Sequence, residues 1–192
     1  MKRQRLFSGL LAFSVFASAA AAEVVRYKID PVHSGIDFRV RHFVNMVPGA
    51  FTGFEGEIHY DKENPSNSKA IATIDIASVN TRNDDRDAHL RQDDFFNAEE
   101  FPKMTFESTS WEPAGDNMYT VTGDLTFHGH TRPVEVHVQF LGEVEGRGVM
   151  RSGWRGTTNI DRTQWGMDGY TAFIGTRIPV ELNIQGHRVD ED

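Results

Sequence analysis

The sequence contains no cysteine among its 192 residues, so no disulfide bond can stabilise its fold. Exported proteins with small cores often depend on disulfides. This chain must therefore obtain its stability from a hydrophobic core or from a bound ligand.

Basic residues are also scarce, because 20 Lys and Arg stand against 28 Asp and Glu and give a formal net charge of −8. Proteins that bind nucleic acids or anionic membranes neutralise phosphates with clustered Lys and Arg. The composition therefore argues against both kinds of partner, and we expect no nucleic-acid ligand.

Long apolar runs are missing as well. The stretch 6–16 is roughly half of the ~20 residues that span a bilayer, and it lies between a basic start and the small residues "ASAAAAE". This pattern is typical of a secretory signal peptide. We expect residues 1–22 to be removed near Ala22, leaving 23–192 as one periplasmic domain of net charge −11 that is not an integral membrane protein.

The motifs of common enzyme classes do not occur in the sequence. It has no Gly-x-Ser-x-Gly elbow, no phosphate-binding Gly-rich loop and no His-Glu-x-x-His helix. The adjacent His33 and Ser34 would point to opposite faces of a strand and could not act as a base and nucleophile. Two histidines, His128 and His130, make a weak zinc signal without a third ligand. We therefore expect no catalysis, no metal and no required cofactor.

Alternation of apolar and polar residues is the feature that dominates the chain. In 134–140 the apolar residues Val134, Val136, Val138 and Phe140 fall on one face, as in a half-buried antiparallel strand. The same alternation predicts eight or nine strands, at 24–29, 34–43, 50–60, 69–76, 103–111, 119–127, 134–140, 147–159 and 178–184.

Turn-forming segments separate the later strands at hairpin spacing, which favours antiparallel neighbours. Such strands must pack as two sheets or close into a barrel to cover their apolar faces. In either case Leu125, Val136, Val138 and Val180 should be buried and point into one interior.

One charged stretch, 81–106, interrupts the strand pattern. Asn83 or Asp84 can cap a helix over 84–92 whose first turn is acidic, and Asp93 or Asp94 offers a second cap. We expect a short helical insert near 84–97 that lies across one end of the fold. Three aromatic side chains should turn inward from it: Phe95, Phe96 and Phe101.

The same stretch, "RDAHLRQDDFFNAEEFPKMTFES", resembles the signature of the YceI-like family of lipocalin-like, polyisoprenoid-binding proteins. The chain departs from the family pattern at Gln92, where Ser is usual, and at Thr163 to Trp165. Further pieces match in the family's order at 29–42, 49–61, 123–136 and 160–167.

This resemblance implies an all-β, lipocalin-like antiparallel barrel of about eight strands around an apolar cavity. Relatives hold polyprenyl phosphates, isoprenoid quinones or similar long-chain lipids, so the resemblance implies a periplasmic lipid carrier. Contact with the chain of an amphipathic lipid is expected from Phe38, Phe51, Phe54, Phe95, Phe96, Met104, Phe106, Phe127 and Trp165. The alternative is that these side chains only fill the core.

The polar cluster of the insert has two interpretations. Arg91, then His89, then Arg86 could hold a phosphate or a quinone oxygen at the cavity mouth. Alternatively, Arg86 and Asp87 form structural salt bridges that tie the insert to neighbouring strands, and His89 forms a hydrogen bond with a backbone carbonyl. Two other functions stay open, a metal-binding protein and an accessory interaction protein of the cell envelope, and a homodimer is possible.

Overall fold

The fold is a closed, eight-stranded antiparallel β-barrel with one short α-helix, as the sequence predicted. A computed structural model describes residues 24–189. The predicted signal peptide and its cleavage site lie outside the described residues. Among those described, no helix is long and apolar enough to span a membrane.

Eleven strand segments build the eight long strands of the barrel, which we call staves. Three staves consist of two segments each, and the other five of one segment. The segments are β1 (Val25–Ile29), β2 (Gly35–His42), β3 (Asn45–Phe51), β4 (Phe54–Tyr60), β5 (Lys69–Asp75), β6 (Val79–Asn80), β7 (Lys103–Gly115), β8 (Met118–Phe127), β9 (His130–Gly146), β10 (Val149–Asp161) and β11 (Arg177–Arg188).

Strand pairing closes the barrel through the two ends of the chain. Neighbouring segments follow the order β1, β4, β5, β7, β8, β9, β10 and β11, and β11 pairs back onto β1. The segments β2, β3 and β6 lie in the same staves as β1, β4 and β5, respectively. Their pairings follow the same order, because β2 pairs with β11 and β3, and β3 pairs with β6. Within residues 24–189, each of the eight segments of this ring has a neighbour on both sides, whereas β6 pairs on one side with β3.

Two of the three divided staves break at a recognisable feature of the local sequence. Pro31, which lacks a donor N–H, lies between β1 and β2. A short 3-10 helix, Ile76–Ser78, separates β5 from β6, and the carboxylate of Asp75 caps it by accepting from Ala77 N at 3.2 Å. The predicted strand 50–60 is in fact two segments, because the register breaks at 52–53.

The chain topology gives the barrel two distinct ends. The upper end carries the β2–β3 turn, the insert 81–102, the β8–β9 turn and the loop 162–176, while the β7–β8 and β9–β10 turns lie at the lower end. An upper core cluster surrounds Phe38, Phe51 and Phe127, and a lower, mainly aromatic cluster surrounds Tyr60 and Trp154.

The insert contains one helix, α1 (Asp84–Leu90), whose N-cap is Asn83. The side-chain oxygen of Asn83 accepts a hydrogen bond from Arg86 N at 2.8 Å. The prediction of a second cap at Asp93 or Asp94 is wrong, because residues 91–100 form successive turns and no second helix. The carboxylate of Asp94 is used in side-chain hydrogen bonds instead.

Candidate ligand-binding cavity

An apolar cavity of about 510 Å³ occupies the barrel interior. Alternate residues of each strand point inward, so the apolar faces that the sequence pattern predicted become its wall. Leu125 and Val136 are buried, Val138 and Val180 are half-buried, and all four line the cavity. The predicted common interior is therefore confirmed.

Most of the predicted lipid-contacting residues lie on this wall. The structure brings together there Phe38, Phe51, Phe54, Phe95, Phe96, Met104, Phe106 and Phe127. The Phe96 ring from the insert reaches the barrel, since its centroid is 5.8 Å from Phe51 and 5.7 Å from Phe127. Phe101, which was also expected to turn inward, packs against His128 and does not line the cavity. Whether the side chains of the wall touch a ligand stays a prediction.

Two predicted site residues do not line the cavity. Trp165 is only 1% exposed and packs within the upper core, where its indole Nε1 donates to the carbonyl of Leu125 at 3.2 Å. Arg91 follows the last turn of α1, and its Nη1 lies 3.5 Å from the carbonyl oxygen of Ala77. Of the three predicted head-group residues, the structure places Arg86 and His89 on the wall, and it does not place Arg91 there.

A layer of aromatic side chains closes the lower end of the cavity. Trp111 and Trp154 form its upper surface, with their ring centroids 5.9 Å apart. Beneath them, the Tyr60 ring lies 4.9 Å from Trp154, and its hydroxyl is 2.8 Å from that of Tyr119. Burial raises the pKa of Tyr60, so its hydroxyl stays protonated, and the packed rings cover this end of the cavity.

Polar side chains of the wall are concentrated at the upper end. Six of them lie there, His42, Thr81, Arg86, His89, Arg162 and Tyr170, and the other three, Glu57, Arg155 and Thr158, belong to β4 and β10. Among the residues that line the cavity, the one acid is Glu57, which follows the outward alternation of β4 next to the buried Ile58. The cavity is thus apolar along its length and has donor groups without acids at its mouth.

Arg162 organises the loop that borders the mouth. Its side chain is 6% exposed. Burial lowers the pKa of Arg162, whereas the negative charges of Asp161 and Asp168 act to raise it. The guanidinium donates to the carbonyls of Gly175 at 3.1 Å, Gly169 at 2.8 Å and Ile174 at 3.2 Å, and also to that of Met167. One buried cation therefore holds the loop 162–176 in a single shape.

Helix α1 is tied back to the start of the insert by a small network around Thr81, which directly follows β6 and is 4% exposed. The buried carboxylate of Asp87 accepts from Thr81 N at 2.8 Å and from the Thr81 hydroxyl at 2.5 Å. Arg86 donates from Nε to the same hydroxyl and from Nη2 to the Thr81 carbonyl, both at 2.7 Å. Arg86 and Asp87 therefore have structural hydrogen bonds, but their partner is Thr81 and not a strand residue, and neither forms a salt bridge within residues 24–189.

This structural role leaves one nitrogen of Arg86 available. Within residues 24–189, Nη1 of Arg86 makes no hydrogen bond, and the side chain is exposed at the cavity mouth. The same guanidinium can therefore be held in place by Thr81 and still donate to a ligand group.

A second contact links the far end of the insert to the loop. Asp94 accepts hydrogen bonds from His89 at 3.0 Å and from the hydroxyl of Tyr170 at 2.9 Å, so His89 bonds a carboxylate rather than a backbone carbonyl. Burial acts to raise the pKa of Asp94, but these two hydrogen bonds outweigh it and hold that pKa below its usual value. The rings of Phe95 and Tyr170 stack with centroids 5.4 Å apart.

Sequence reasoning missed Arg162 and Tyr170 as residues of the mouth. Arg162 lies in the segment 160–167, which resembles the family pattern, and this resemblance could have marked it as a candidate functional residue. Tyr170 had no comparable signal, because its partner Asp94 is 76 positions away in the chain.

The two histidines with metal-like spacing do not belong to a larger ligand set. His128 Nδ1 lies 2.8 Å from the carbonyl of Trp165, which fixes the ring by an ordinary hydrogen bond. No group of three His, Asp or Glu side chains within 24–189 is arranged to hold a metal ion.

Comparison with known proteins places this barrel in a family. The model of the YceI-like domain matches residues 27–186. A UPF0312 protein of Vibrio cholerae is 33% identical over 190 residues, which cover 97% of this chain and 98% of that protein.

Solved structures agree with this assignment. The YceI protein of Campylobacter jejuni superposes with a TM-score of 0.69 at 28% identity, covering 77% of this chain and 88% of that one. A polyisoprenoid-binding domain of Saccharophagus degradans has a TM-score of 0.66 at 16% identity, over 87% of this chain and all of that domain. The second likeness, at this identity, supports the fold alone.

Proposed function

Because the chain belongs to the YceI-like domain family, we propose that it is a non-enzymatic binding protein for an amphipathic long-chain lipid. The ligand class is an isoprenoid such as a polyprenyl phosphate or an isoprenoid quinone. The protein holds this lipid in its barrel and shields it from water in the periplasm, and it requires no cofactor. The polyisoprenoid-binding domain of Saccharophagus degradans shows that a barrel of this fold can serve such a function in another protein.

The observation that carries the proposal is the division of the cavity into an apolar shaft and a polar mouth. Burying each methylene group contributes about 0.8 kcal/mol, so a shaft lined by Phe, Ile, Leu and Val attracts a hydrocarbon chain. Roughly ten buried methylenes would give about 8 kcal/mol before the cost of association is subtracted. The cavity volume of about 510 Å³ lies within the usual range for a small-molecule site.

The polar head of such a lipid would lie beside Arg86. A phosphate or carbonyl that leaves water must receive hydrogen bonds, and Nη1 of Arg86 is a charged donor held at the mouth by Thr81. His89 lies on the same wall, but Asp94 already engages its Nε2. Arg86 is therefore our first head-group residue, and Arg91, which lies outside the wall, is not.

Extraction of the purified protein tests the proposal. The full chain is expressed in a bacterium, purified without detergent and extracted with organic solvent, and the extract is analysed by mass spectrometry. We expect one long-chain amphipathic lipid in near-stoichiometric amount. A metal without lipid would favour the metal-binding alternative. An empty protein that also fails to take up added polyprenyl phosphate or quinone would contradict the proposal.

A further inference from the structure

Exposed apolar side chains gather at one side of the cavity mouth. Of the nine large hydrophobic residues that are exposed within 24–189, five lie at this place. They form what we call the apolar rim: Phe43, Val44, Met46, Tyr170 and Phe173. Isolated exposed hydrophobic residues are ordinary, but a contiguous group marks an interaction surface.

The rim is an ordered unit, because the β2–β3 turn and the loop 162–176 hold each other. Phe43 N donates to the Phe173 carbonyl at 2.7 Å, and the two ring centroids are 5.1 Å apart. An isolated β-bridge joins His42 to Ile174. Val44, at the tip of the turn, is 99% exposed, so it contacts almost nothing in its own chain.

The charge around the rim differs from that of the whole chain. The segments 38–53 and 162–177, which carry the rim, together contain Arg39, Arg41, His42, Arg162 and Arg177 but a single acid, Asp168. Apart from Asp161 and Asp168, the acidic residues of the upper end belong to the insert, where Asp94 is paired with His89 and with the rim residue Tyr170. The side of the mouth that carries exposed apolar groups is therefore also its cationic side.

We propose that the apolar rim docks the protein onto a lipid bilayer that contains anionic headgroups. Apolar side chains flanked by Arg are the combination that settles at the boundary between headgroups and acyl chains. The acidic composition argued against such binding, but charges farther away than about 8 Å are screened at physiological salt. The local charge of the rim then decides its interaction with the membrane.

Docking in this orientation would serve lipid exchange, and in this respect the inference rests on the proposed function. Val40 and His42, at the base of the β2–β3 turn, line the cavity, as do Tyr170 and Ile174. With Val44 inserted first, the cavity mouth lies beside the acyl chains. A lipid then passes between membrane and barrel with little exposure to water.

Vesicle sedimentation tests the docking surface directly. The full chain is mixed with vesicles of phosphatidylcholine alone or with 30% phosphatidylglycerol, and the bound fraction is measured. The variant is Val44→Asp, and the matched control is Val32→Asp, because Val32 also lies in a turn, between β1 and β2, and is 81% exposed. Both substitutions lie at exposed positions, so melting temperatures should not change.

We expect the wild type and Val32→Asp to bind the anionic vesicles more tightly than the neutral ones, and added salt to weaken that binding. Val44→Asp should reduce the partition constant by about tenfold or more, because the wild-type Val side chain is buried in the lipid when the protein docks and the Asp side chain is not. Absence of wild-type binding, binding that ignores the headgroup charge, or equal losses in both variants would overturn the docking surface.

Loading of the cavity is measured separately, without membranes, by adding polyprenyl phosphate from ethanol to each variant. Docking predicts that Val44→Asp loads lipid as the wild type does but takes it up from vesicles at least about tenfold more slowly. Vesicle binding by a protein that loads no lipid would refute the proposed function and leave the docking surface intact. Normal loading without vesicle binding would refute the docking surface alone.

Discussion

The position of α1 against the start of the insert depends on one buried carboxylate, that of Asp87, which is 6% exposed. Replacing Asp87 with Ala removes the acceptor for both the N–H and the hydroxyl of Thr81, which is itself 4% exposed. Leaving a buried polar group without a partner costs about 1–3 kcal/mol. With two groups affected, we expect Asp87→Ala to lower the free energy of unfolding by about 3 kcal/mol.

Urea denaturation followed by tryptophan fluorescence measures this loss, and Asp85→Ala is the matched control. Asp85 lies in the same first turn of α1 but is exposed, so its removal costs only the interaction with the helix dipole, about 0.3–1 kcal/mol. The difference between the two variants isolates the bonds to Thr81. A double-mutant cycle with Thr81→Val should show a coupling of about 1 kcal/mol or more.

Equal stability losses in Asp87→Ala and Asp85→Ala would refute this reasoning, because they would show that the bonds to Thr81 contribute nothing. Asp87→Ala should also bind a phosphorylated lipid more weakly than the wild type does, because Thr81 holds Arg86 as well. That second effect should be absent from Asp85→Ala.

Three further predictions concern the wall, the charges and the mouth. Phe96→Ala should lower the free energy of unfolding by about 1.5–3 kcal/mol in urea, less than for a fully buried ring, because Phe96 is half-buried; an unchanged value would contradict its packing. Hydrogen bonds from Arg26 and then His59 lower the pKa of Glu57 to about 2. This stabilisation is present above the unfolded pKa near 4.3 and is lost as the pH falls towards 2. Glu57→Gln should therefore flatten the acid limb of a stability–pH curve by no more than about 1 kcal/mol, since the pair is partly exposed; an unaltered curve would refute the pairing. Arg86→Ala should weaken binding of a polyprenyl phosphate by about 1–3 kcal/mol in a titration and leave the neutral alcohol unaffected, whereas an equal loss for both would indicate a structural defect.

The sequence contained enough information for the wall of the barrel but not for its closure. In β8 the alternation of apolar and polar residues assigns each side chain to a face, because successive strand residues point to opposite sides. The pairing of β11 with β1 joins segments more than 150 residues apart, and no local pattern marks it. The break within 50–60 was equally hidden, since both segments continue the same stave.

The cavity mouth was predicted less well, because irregular backbone determines where its side chains point. Arg91 is the C-cap of α1, and the turn that follows directs its side chain towards Ala77. Trp165 ends a 3-10 helix that is followed by Gly166 at φ 79°, a left-handed conformation that favours glycine. This turn fixes the path of the chain and leaves the indole in the upper core. Neither direction can be derived from strand periodicity.

The central claim, that the barrel interior holds the lipid, is tested most directly by filling that interior. Ala72 lines the cavity, whereas Thr73, the next residue of β5, belongs to the outer face. Ala72→Phe and Thr73→Phe thus add similar bulk on opposite sides of one strand. In titrations with a polyprenyl phosphate, Ala72→Phe should lose at least about tenfold in affinity, whereas Thr73→Phe should bind as the wild type does. Unchanged affinity in a folded Ala72→Phe protein would contradict the account, because the lipid would then be bound elsewhere.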